Sequence, residues 1–280
     1  MPRRSEFHAF LDEDVGRGDI TSELVVPRKA KARGRIVAKR ACVVAGLEEA
    51  GTVFRELGLT FDAKARDGAR VSRGEVVAKV RGRARSLLKG ERVALNILQR
   101  MSGIATLTRA TVEAGRRANP RLIVAATRKT TPGFRAFEKR AVALGGGDPH
   151  RFALDDMVLV KDNHLAVVGG VERAMAALGP RGGKTFTKKV EVEVSNLEDA
   201  LKAAELGADI VMLDNFPARS LGRAYRALKA RYPGVLVEVS GNIDASNIAK
   251  VAPFADIVSC GSLTHSAPAC DFSLEVEPEP

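Results

Sequence analysis

The sequence has no tryptophan and only two tyrosines among its 280 residues. Proteins that hold single-stranded nucleic acid stack bases on aromatic side chains, so this scarcity argues against that function. No apolar run approaches the roughly 20 residues that a membrane helix needs. The first residues carry two arginines but lack the apolar core of a secretory signal. We therefore expect a cytoplasmic protein that binds neither membrane nor nucleic acid.

Cysteine is also scarce, with Cys42, Cys260 and Cys270 scattered along the chain. An odd and scattered set predicts no disulfide framework and fits a reducing compartment. There is no C-x-x-C or H-x-x-H spacing, so the sequence does not favour a zinc site.

What the sequence does have is an excess of basic residues, with a formal net charge of +11. Residues 1–105 carry 22 Lys and Arg against 13 Asp and Glu, whereas residues 106–280 carry 23 against 21. A basic half indicates an anionic partner, either nucleic acid, an anionic membrane surface or small anions, unless it is only a solvated face. At 45% hydrophobic and 28% charged residues, the composition is that of an ordered globular protein with one large or two modest domains.

The first hundred residues predict helices at 5–12 and 47–57, a strand at 33–39 and a long amphipathic helix at 87–107. In segment 67–82, Gly and Asp turns separate short Val-rich strands, which resembles the hammerhead segments of biotinyl and lipoyl carrier domains. No lysine lies in a carrier-type turn, so we expect this segment to be structural.

From about residue 120 the pattern changes to short apolar runs, each ending in a polar residue and each followed by a helical or loop stretch. Strands that alternate with helices predict βα units and a parallel sheet. Six such units favour an α/β barrel, although spacing alone does not close it. The residues at the strand ends, 21 to 32 positions apart, are Lys129, Lys161, Glu193, Asp214, Ser240 and Gly261.

The alternating run 190–194 shows which side chains face the barrel interior. Side chains two apart share a face of a strand, so Glu191 and Glu193 point one way and the valines the other. In a barrel the glutamates face inward, and the carboxyl ends of the strands carry the chemistry. A buried salt-bridge network without a catalytic role is the alternative.

A dense cationic cluster surrounds the same strand ends. Arginine forks suit carboxylates and phosphates, while lysine acts as a point charge. We therefore predict that these residues enclose one polyanionic ligand. They are Arg128, Lys129, His150, Arg151, Lys161 and His164. The small-residue loops at 240–243 and 259–266 predict a phosphate cradle, or else two tight turns.

In these motifs the chain resembles the quinolinate phosphoribosyltransferase family, the carboxylating nicotinate-nucleotide pyrophosphorylases. A related family associated with molybdenum transport shares much of the fold and some motifs, so it remains an alternative, as does another pyridine acceptor. The resemblance spans nearly the whole chain in order. It rests on residues 13–22, 91–106, 127–133, 145–151, 161–164, 191–194, 213–216, 240–243 and 261–266.

The resemblance implies transfer of phosphoribosyl from phosphoribosyl pyrophosphate (PRPP) to quinolinate, with release of pyrophosphate and CO2, in NAD biosynthesis with Mg²⁺. It also implies an N-terminal α/β sandwich (hammerhead-like) and a C-terminal, incomplete or seven-stranded α/β barrel. We expect the sandwich at 1–108, joined by the tail 266–280, and the barrel at 109–265. The family forms dimers and sometimes hexamers.

The resemblance further assigns roles to residues. Catalytic roles fall to Lys129, Lys161, Glu193 and Asp214, and the last two are expected to hold Mg²⁺, directly or indirectly. Arg92 is expected to reach the site of the partner subunit. The expected substrate-binding residues are Arg92, Thr127, Arg128, Lys129, His150, Arg151, Lys161, Glu193, Asp214, Ser240, Gly241, Asn242, Gly261 and Ser262. Because many relatives have Ser-Gly-Gly at the first loop, Asn242 departs from the family pattern.

Overall fold

The computed structural model describes residues 4–179 and 187–279. The chain divides into two compact units. The first unit comprises Met1–Arg109, Thr131–Gly146 and Ala267–Pro280, and the second comprises Ala110–Thr130 and Gly147–Ser266. The sequence did not predict that 131–146 would belong to the first unit. The predicted domain limits stay predictions.

The helices and strands follow one another along the chain as an N-terminal set and then a series of βα units. In chain order they are α1 (Arg4–Val15), α2 (Ile20–Val25), β1 (Lys31–Ala38), β2 (Cys42–Val43), α3 (Leu47–Glu56), β3 (Thr60–Ala63), β4 (Arg70–Val71), β5 (Val76–Arg83), α4 (Ala84–Ala118), β6 (Ile123–Ala125), α5 (Arg135–Leu144), β7 (Val158–Val160), α6 (Asp162–Val168), α7 (Val171–Leu178), β8 (Val190–Val194), α8 (Leu197–Glu205), β9 (Ile210–Asp214), α9 (Ala218–Arg231), β10 (Leu236–Ser240), α10 (Ile248–Val251), β11 (Ile257–Ser259), α11 (Ser262–His265) and β12 (Phe272–Glu279).

The first unit contains an antiparallel sheet with the strand order β12-β1-β5-β3. On β1 the exposed residues Lys31, Arg33 and Arg35 alternate with buried ones, as expected for a strand with one face on the core. The short strands β2 and β4 pair with each other in a separate two-stranded sheet. This mixture of strands and helices agrees with the predicted α/β sandwich.

The longest helix, α4, has 35 residues, so the prediction of 87–107 was too short at its C-terminal end. Val112 and Ala114 beyond that limit are still buried, and this apolar face lets the helix continue. None of the described helices is long and apolar enough to cross a membrane.

The second unit contains a parallel sheet with the strand order β7-β8-β9-β10-β11-β6. Its apolar core includes Ala125, Ile210 and Ile257, with Met157 and Leu236 packed against them. Because the strands are parallel, their carboxyl ends all lie at one edge of the sheet.

The barrel is incomplete because the strand position after β6 is reduced to one residue. Asp148 forms an isolated parallel bridge with Ala125. The amide of Ala126 donates to the Asp148 carbonyl at 2.9 Å, and the amide of Asp148 donates to the Val124 carbonyl at 2.8 Å. The described residues thus give six parallel strands and a single-residue seventh position, which is the incomplete form of the expected barrel.

Candidate active site

A cavity of about 750 Å³ opens in the second unit at the carboxyl ends of the parallel strands. Thirteen of the fourteen residues that the sequence assigned to substrate or metal contribute to its lining. They are Thr127, Arg128, Lys129, His150, Arg151, Lys161, Glu193, Asp214, Ser240, Gly241, Asn242, Gly261 and Ser262. The fourteenth, Arg92, lies on α4 in the first unit, where it is exposed.

Lys161 and Glu193 join the cationic and acidic parts of the cavity. Lys161 follows β7 and Glu193 lies near the end of β8, the next strand of the sheet. The Lys161 ammonium donates to Glu193 Oε2 at 2.7 Å. His164, which the sequence placed in the cationic cluster, instead accepts a hydrogen bond from the Lys161 amide at its Nδ1, 2.9 Å away, at the start of α6.

Asp214 ends β9 and is held by neutral hydrogen-bond donors. The hydroxyl of Ser240 donates to its Oδ1, and the side-chain amide of Asn215 donates to its Oδ2 at 2.7 Å. The backbone amide of Asn215 in turn donates to the Ser240 carbonyl at 3.0 Å. These contacts fix the carboxylate without neutralising its charge, so it is available for hydroxyls or a cation.

Arg128 and Arg151 place positive charge in the cavity, and neither has an ion-pair partner among the described residues. Burial lowers the pKa of Arg151, and the like charge of Arg128 lowers it further. The Nε of Arg128 is buried and has no hydrogen-bond partner among the described residues. An anionic ligand would satisfy both guanidinium groups, because planar arginine forks match carboxylates and phosphates.

His150 contacts two buried carboxylates. Its Nε2 is 3.4 Å from Glu191 Oε2 and 3.6 Å from Glu238 Oε2, and both carboxylates are fully buried. Burial opposes the charge of the imidazole, but attraction to these two nearby carboxylates outweighs it and raises the pKa of His150 to about 9. His150 is therefore a cation at neutral pH.

Non-glycine residues with a left-handed backbone are concentrated at this cavity. Among the described residues, three non-glycine residues have positive φ, and all three line the cavity: His150 at 54°, Asn215 at 51° and Asn242 at 50°. Such conformations cost free energy and persist where the surroundings enforce them, often at functional sites. Asn tolerates this region well, so Asn242 fits its loop although it departs from the family pattern.

The phosphate-loop candidates also have close backbone packing. Gly241 has a φ of 106°, and a Cβ there would lie 2.2 Å from Asn215 Oδ1. A Cβ at Gly261 would lie 3.0 Å from Lys129 Cδ. Only glycine leaves room at Gly241, so its backbone stays open to the cavity.

The arrangement combines cations for anionic groups with two fixed carboxylates for hydroxyls or a metal. Sequence reasoning missed the pairing of His150 with Glu191 and Glu238, although strand alternation already turned Glu191 inward. The motif around Asp214 could also have indicated Asn215. Further lining residues that were not predicted as site residues are Ala126, Leu159, Met212, Asn215, Ile243, Asp244, Ser259 and His265.

Comparison with protein families matches both parts of the chain. Residues 19–102 match "Quinolinate phosphoribosyl transferase, N-terminal domain", and residues 104–275 match "Quinolinate phosphoribosyl transferase, C-terminal domain". The two matches together span most of the sequence.

Individual proteins are similar to this chain over most of its length. The chain is 48% identical over 262 residues to the probable nicotinate-nucleotide pyrophosphorylase [carboxylating] of Archaeoglobus fulgidus, covering 92% of this chain and 98% of that protein. It is 47% identical over 240 residues to the human nicotinate-nucleotide pyrophosphorylase [carboxylating], covering 85% and 80%. The crystal structure of NadC from Streptococcus pyogenes superposes with a TM-score of 0.91 at 42% identity, covering 99% of this chain and 96% of that one.

Proposed function

Because this chain belongs to the quinolinate phosphoribosyltransferase family, we propose that its cavity binds quinolinate and PRPP together. It is an enzyme that transfers phosphoribosyl to quinolinate, giving nicotinate mononucleotide, pyrophosphate and CO2 in NAD biosynthesis.

One observation carries this proposal. A single cavity is lined by buried or half-buried cations, by the imidazole of His150, and by the carboxylates of Glu193, Asp214 and Asp244. Quinolinate has two carboxylates and PRPP has several phosphate groups, so both substrates require a site rich in fixed positive charge. The two carboxylates Glu193 and Asp214 are the groups that suit the ribose hydroxyls.

The proposed reaction needs no protein nucleophile. The pyridine nitrogen of quinolinate attacks the ribose carbon as pyrophosphate leaves with the electrons of the C–O bond. CO2 then departs, and its bonding electrons remain on the ring carbon, which takes up a proton. The positively charged ring nitrogen favours that departure. The protein positions the reactants and stabilises charge.

We assign the side chains accordingly. Arg128, His150, Arg151 and Lys161 bind the quinolinate carboxylates, with Thr127 beside them. Lys129 lies between the two substrates, near the pyrophosphate or ribose. The 5′-phosphate is held by the loops of Ser240, Gly241, Asn242, Gly261 and Ser262.

The site also fits Mg²⁺, which prefers oxygen ligands, few protein carboxylates and substrate phosphates. Neutral hydrogen-bond donors orient the carboxylate of Asp214, and Glu193 accepts a hydrogen bond from Lys161. Glu193 and Asp214 would hold the ion directly or through ribose hydroxyls. Bound Mg²⁺ would neutralise charge on the pyrophosphate.

The direct test is an assay with quinolinate, PRPP and Mg²⁺ that follows nicotinate mononucleotide and CO2. We expect product with the unaltered chain, loss of product without Mg²⁺, and loss in Arg128→Ala. The matched control is Arg226→Ala, on α9 away from the cavity. Absence of product from a folded protein that binds PRPP would contradict the proposed acceptor.

The alternative acceptors are tested in the same assay. Turnover of nicotinate in place of quinolinate would indicate a changed acceptor, and PRPP binding without any pyridine turnover would favour the relative associated with molybdenum transport. The pair of half-buried His150 and buried Arg151 favours a dicarboxylate. Cell fractionation would test the expected cytoplasmic location.

We also propose a homodimer, or a hexamer built from dimers, in which Arg92 enters the partner's site. Its exposure on α4 supports this role. Co-expression of Arg92→Ala with Lys161→Ala should restore part of the activity that each lacks alone, because a mixed dimer has one intact site. If a verified mixed dimer recovers no activity, Arg92 does not enter the partner's site. Light scattering would give the oligomeric state.

A further inference from the structure

Two carboxylates are buried beneath the cavity, outside the set that the function requires. Glu191 on β8 and Glu238 on β10 are both fully buried. They approach His150 Nε2 from two sides, at 3.4 Å and 3.6 Å. The hydroxyl of Ser259 on β11 donates to the other oxygen of Glu238.

These carboxylates need a charge partner. A buried carboxylate without compensation is costly in free energy. Among the described residues, neither oxygen of Glu191 has a hydrogen-bond partner, and neither has Oε2 of Glu238. The imidazole of His150 is the cationic group within ion-pair distance of both, so the three side chains compensate one another.

The backbone of His150 is constrained at this position. Its φ of 54° lies in the left-handed region, and its amide donates to Asp148 Oδ1 at 2.6 Å. Asp148 is itself fixed by the bridge to Ala125. The ring is therefore held between the glutamates below and the cavity above.

We propose that Glu238 and Glu191 are positioning residues that keep His150 protonated and oriented, so that a substrate carboxylate meets a fixed cation. Neither glutamate lines the cavity, and both act through His150. The substrate's identity rests on the proposed function, whereas the charge of His150 does not.

Charged groups of both signs surround His150 and act on its pKa in opposite directions. Glu191 faces the ring from β8 and Glu238 from β10, and these attractions raise the pKa of His150 against the effect of burial. The cations Arg128, Arg151 and Lys161 share the cavity and oppose a further positive charge. Two carboxylates at ion-pair distance are what maintain the proton despite these cations.

The first experiment is an NMR titration of the histidine rings, which are only four in this chain. His150→Gln identifies the signal. We expect the unaltered His150 to titrate near pH 9, and Glu238→Gln to lower that midpoint by about one pH unit or more. The control Glu198→Gln, an exposed carboxylate on α8, should leave it unchanged.

A midpoint of His150 at or below the ordinary value of about 6.5 would overturn the proposal. So would a folded Glu238→Gln that leaves the midpoint in place. A divalent metal that copurifies with the protein and is lost in Glu238→Gln would also overturn it, since a metal-bound nitrogen carries no proton. The titration of the unaltered chain remains decisive if the variant does not fold.

The second experiment separates positioning from a structural role. Glu238→Gln should raise the KM for quinolinate about tenfold and leave the KM for PRPP unchanged. The double variant with His150→Gln should lose no more than His150→Gln alone, because both act through one ring. Additive losses would overturn the route through His150. If the unaltered chain shows no turnover, the proposed function is wrong, but the titration midpoint of His150 still tests the role of the two glutamates.

Discussion

The single charge of Lys161 serves both parts of the cavity, as a cation for substrate and as the partner of Glu193 at 2.7 Å. Its side chain is 42% exposed, whereas that of Glu193 is 11% exposed. An exposed lysine contributes little to stability, because water screens its ion pair. Its loss should therefore affect the chemistry more than the fold.

We predict that Lys161→Met lowers kcat/KM for quinolinate by about 10²–10³. The free energy of unfolding should change by less than about 1 kcal/mol. Steady-state kinetics and denaturant unfolding measure the two effects. Lys202→Met is the matched control, because Lys202 pairs with Glu205 on the surface of α8. Unfolding without a specific kinetic loss would assign Lys161 a structural role.

In the first unit, the thiols of Cys42 and Cys270 interact, although the sequence predicted no pairing between them. The hydroxyl of Thr106 is 3.6 Å from Cys270 Sγ, and the guanidinium of Arg40 is 3.5 Å from the same sulfur. A hydrogen bond from the Cys42 thiol, together with Arg40 and Thr106, lowers the pKa of Cys270 to about 6 despite burial. Cys260, buried elsewhere, has its pKa raised to about 12.

This pKa predicts a pH-dependent stability. A thiol whose folded pKa is depressed contributes stability above its unfolded pKa, and loses it as the pH falls through the folded value of about 6. The gap in Tm between the unaltered chain and Cys270→Ser should widen from about pH 5 to 8. The gap for Cys260→Ser should stay constant over that range. Parallel curves for both variants would contradict the thiolate assignment.

Among the elements, the turn after β10 has a strict steric requirement. Gly241 has a left-handed φ, and Asn215 fills the space where a Cβ would project. We predict that Gly241→Ala destabilises the fold by about 1–3 kcal/mol. It should also raise the KM for PRPP about tenfold or more, because the phosphate loop is displaced.

The control is Gly234→Ala, before β10, where a Cβ would meet no atom within 4 Å and φ is not in the left-handed range. Its effect should be within about 1 kcal/mol and of either sign. Equal losses in both variants would contradict the steric explanation. Thermal unfolding and PRPP kinetics provide the measurements.

Strand periodicity and motif spacing together predicted most of the second unit. The Val-, Ile- and Leu-rich runs that end near Glu193, Asp214 and Ser240 became β8, β9 and β10, because such residues pack well on buried strands. The single-residue strand at Asp148 left no such signal. Pairings across long sequence distances, as between Cys42 and Cys270, depend on tertiary packing that local patterns do not encode.

At the scale of the whole molecule, the basic excess lies in residues 1–105. This excess leads to the hypothesis that the charge steers anionic substrates, which charge reversal at Arg35, Arg40 and Arg83 would test. Arg35 and Arg40 are poor sites for charge reversal, because Arg35 pairs with Glu275 and Arg40 contacts Cys270, so that a substitution would also break these contacts. Lys31 and Arg33, exposed on β1, are better ones.

We predict that the pair Lys31→Glu and Arg33→Glu lowers kcat/KM several-fold at low ionic strength. The loss should vanish at about 1 M salt, where the Debye length falls to about 3 Å. Lys250→Glu, an exposed reversal on α10, should have a smaller effect. Kinetics across a salt series test this, and a salt-independent loss would count against steering.

The pairing of β1 with β12 has a consequence for synthesis on the ribosome. Arg35 and its partner Glu275 are 240 residues apart in sequence. At about 5–20 residues per second, β1 emerges roughly 10–50 s before its neighbour exists. During that interval β1 exposes an open edge to other nascent chains. Each such strand has the same positive row of Lys31, Arg33 and Arg35. Neighbouring nascent chains on one polysome therefore repel one another at this strand, which opposes their aggregation.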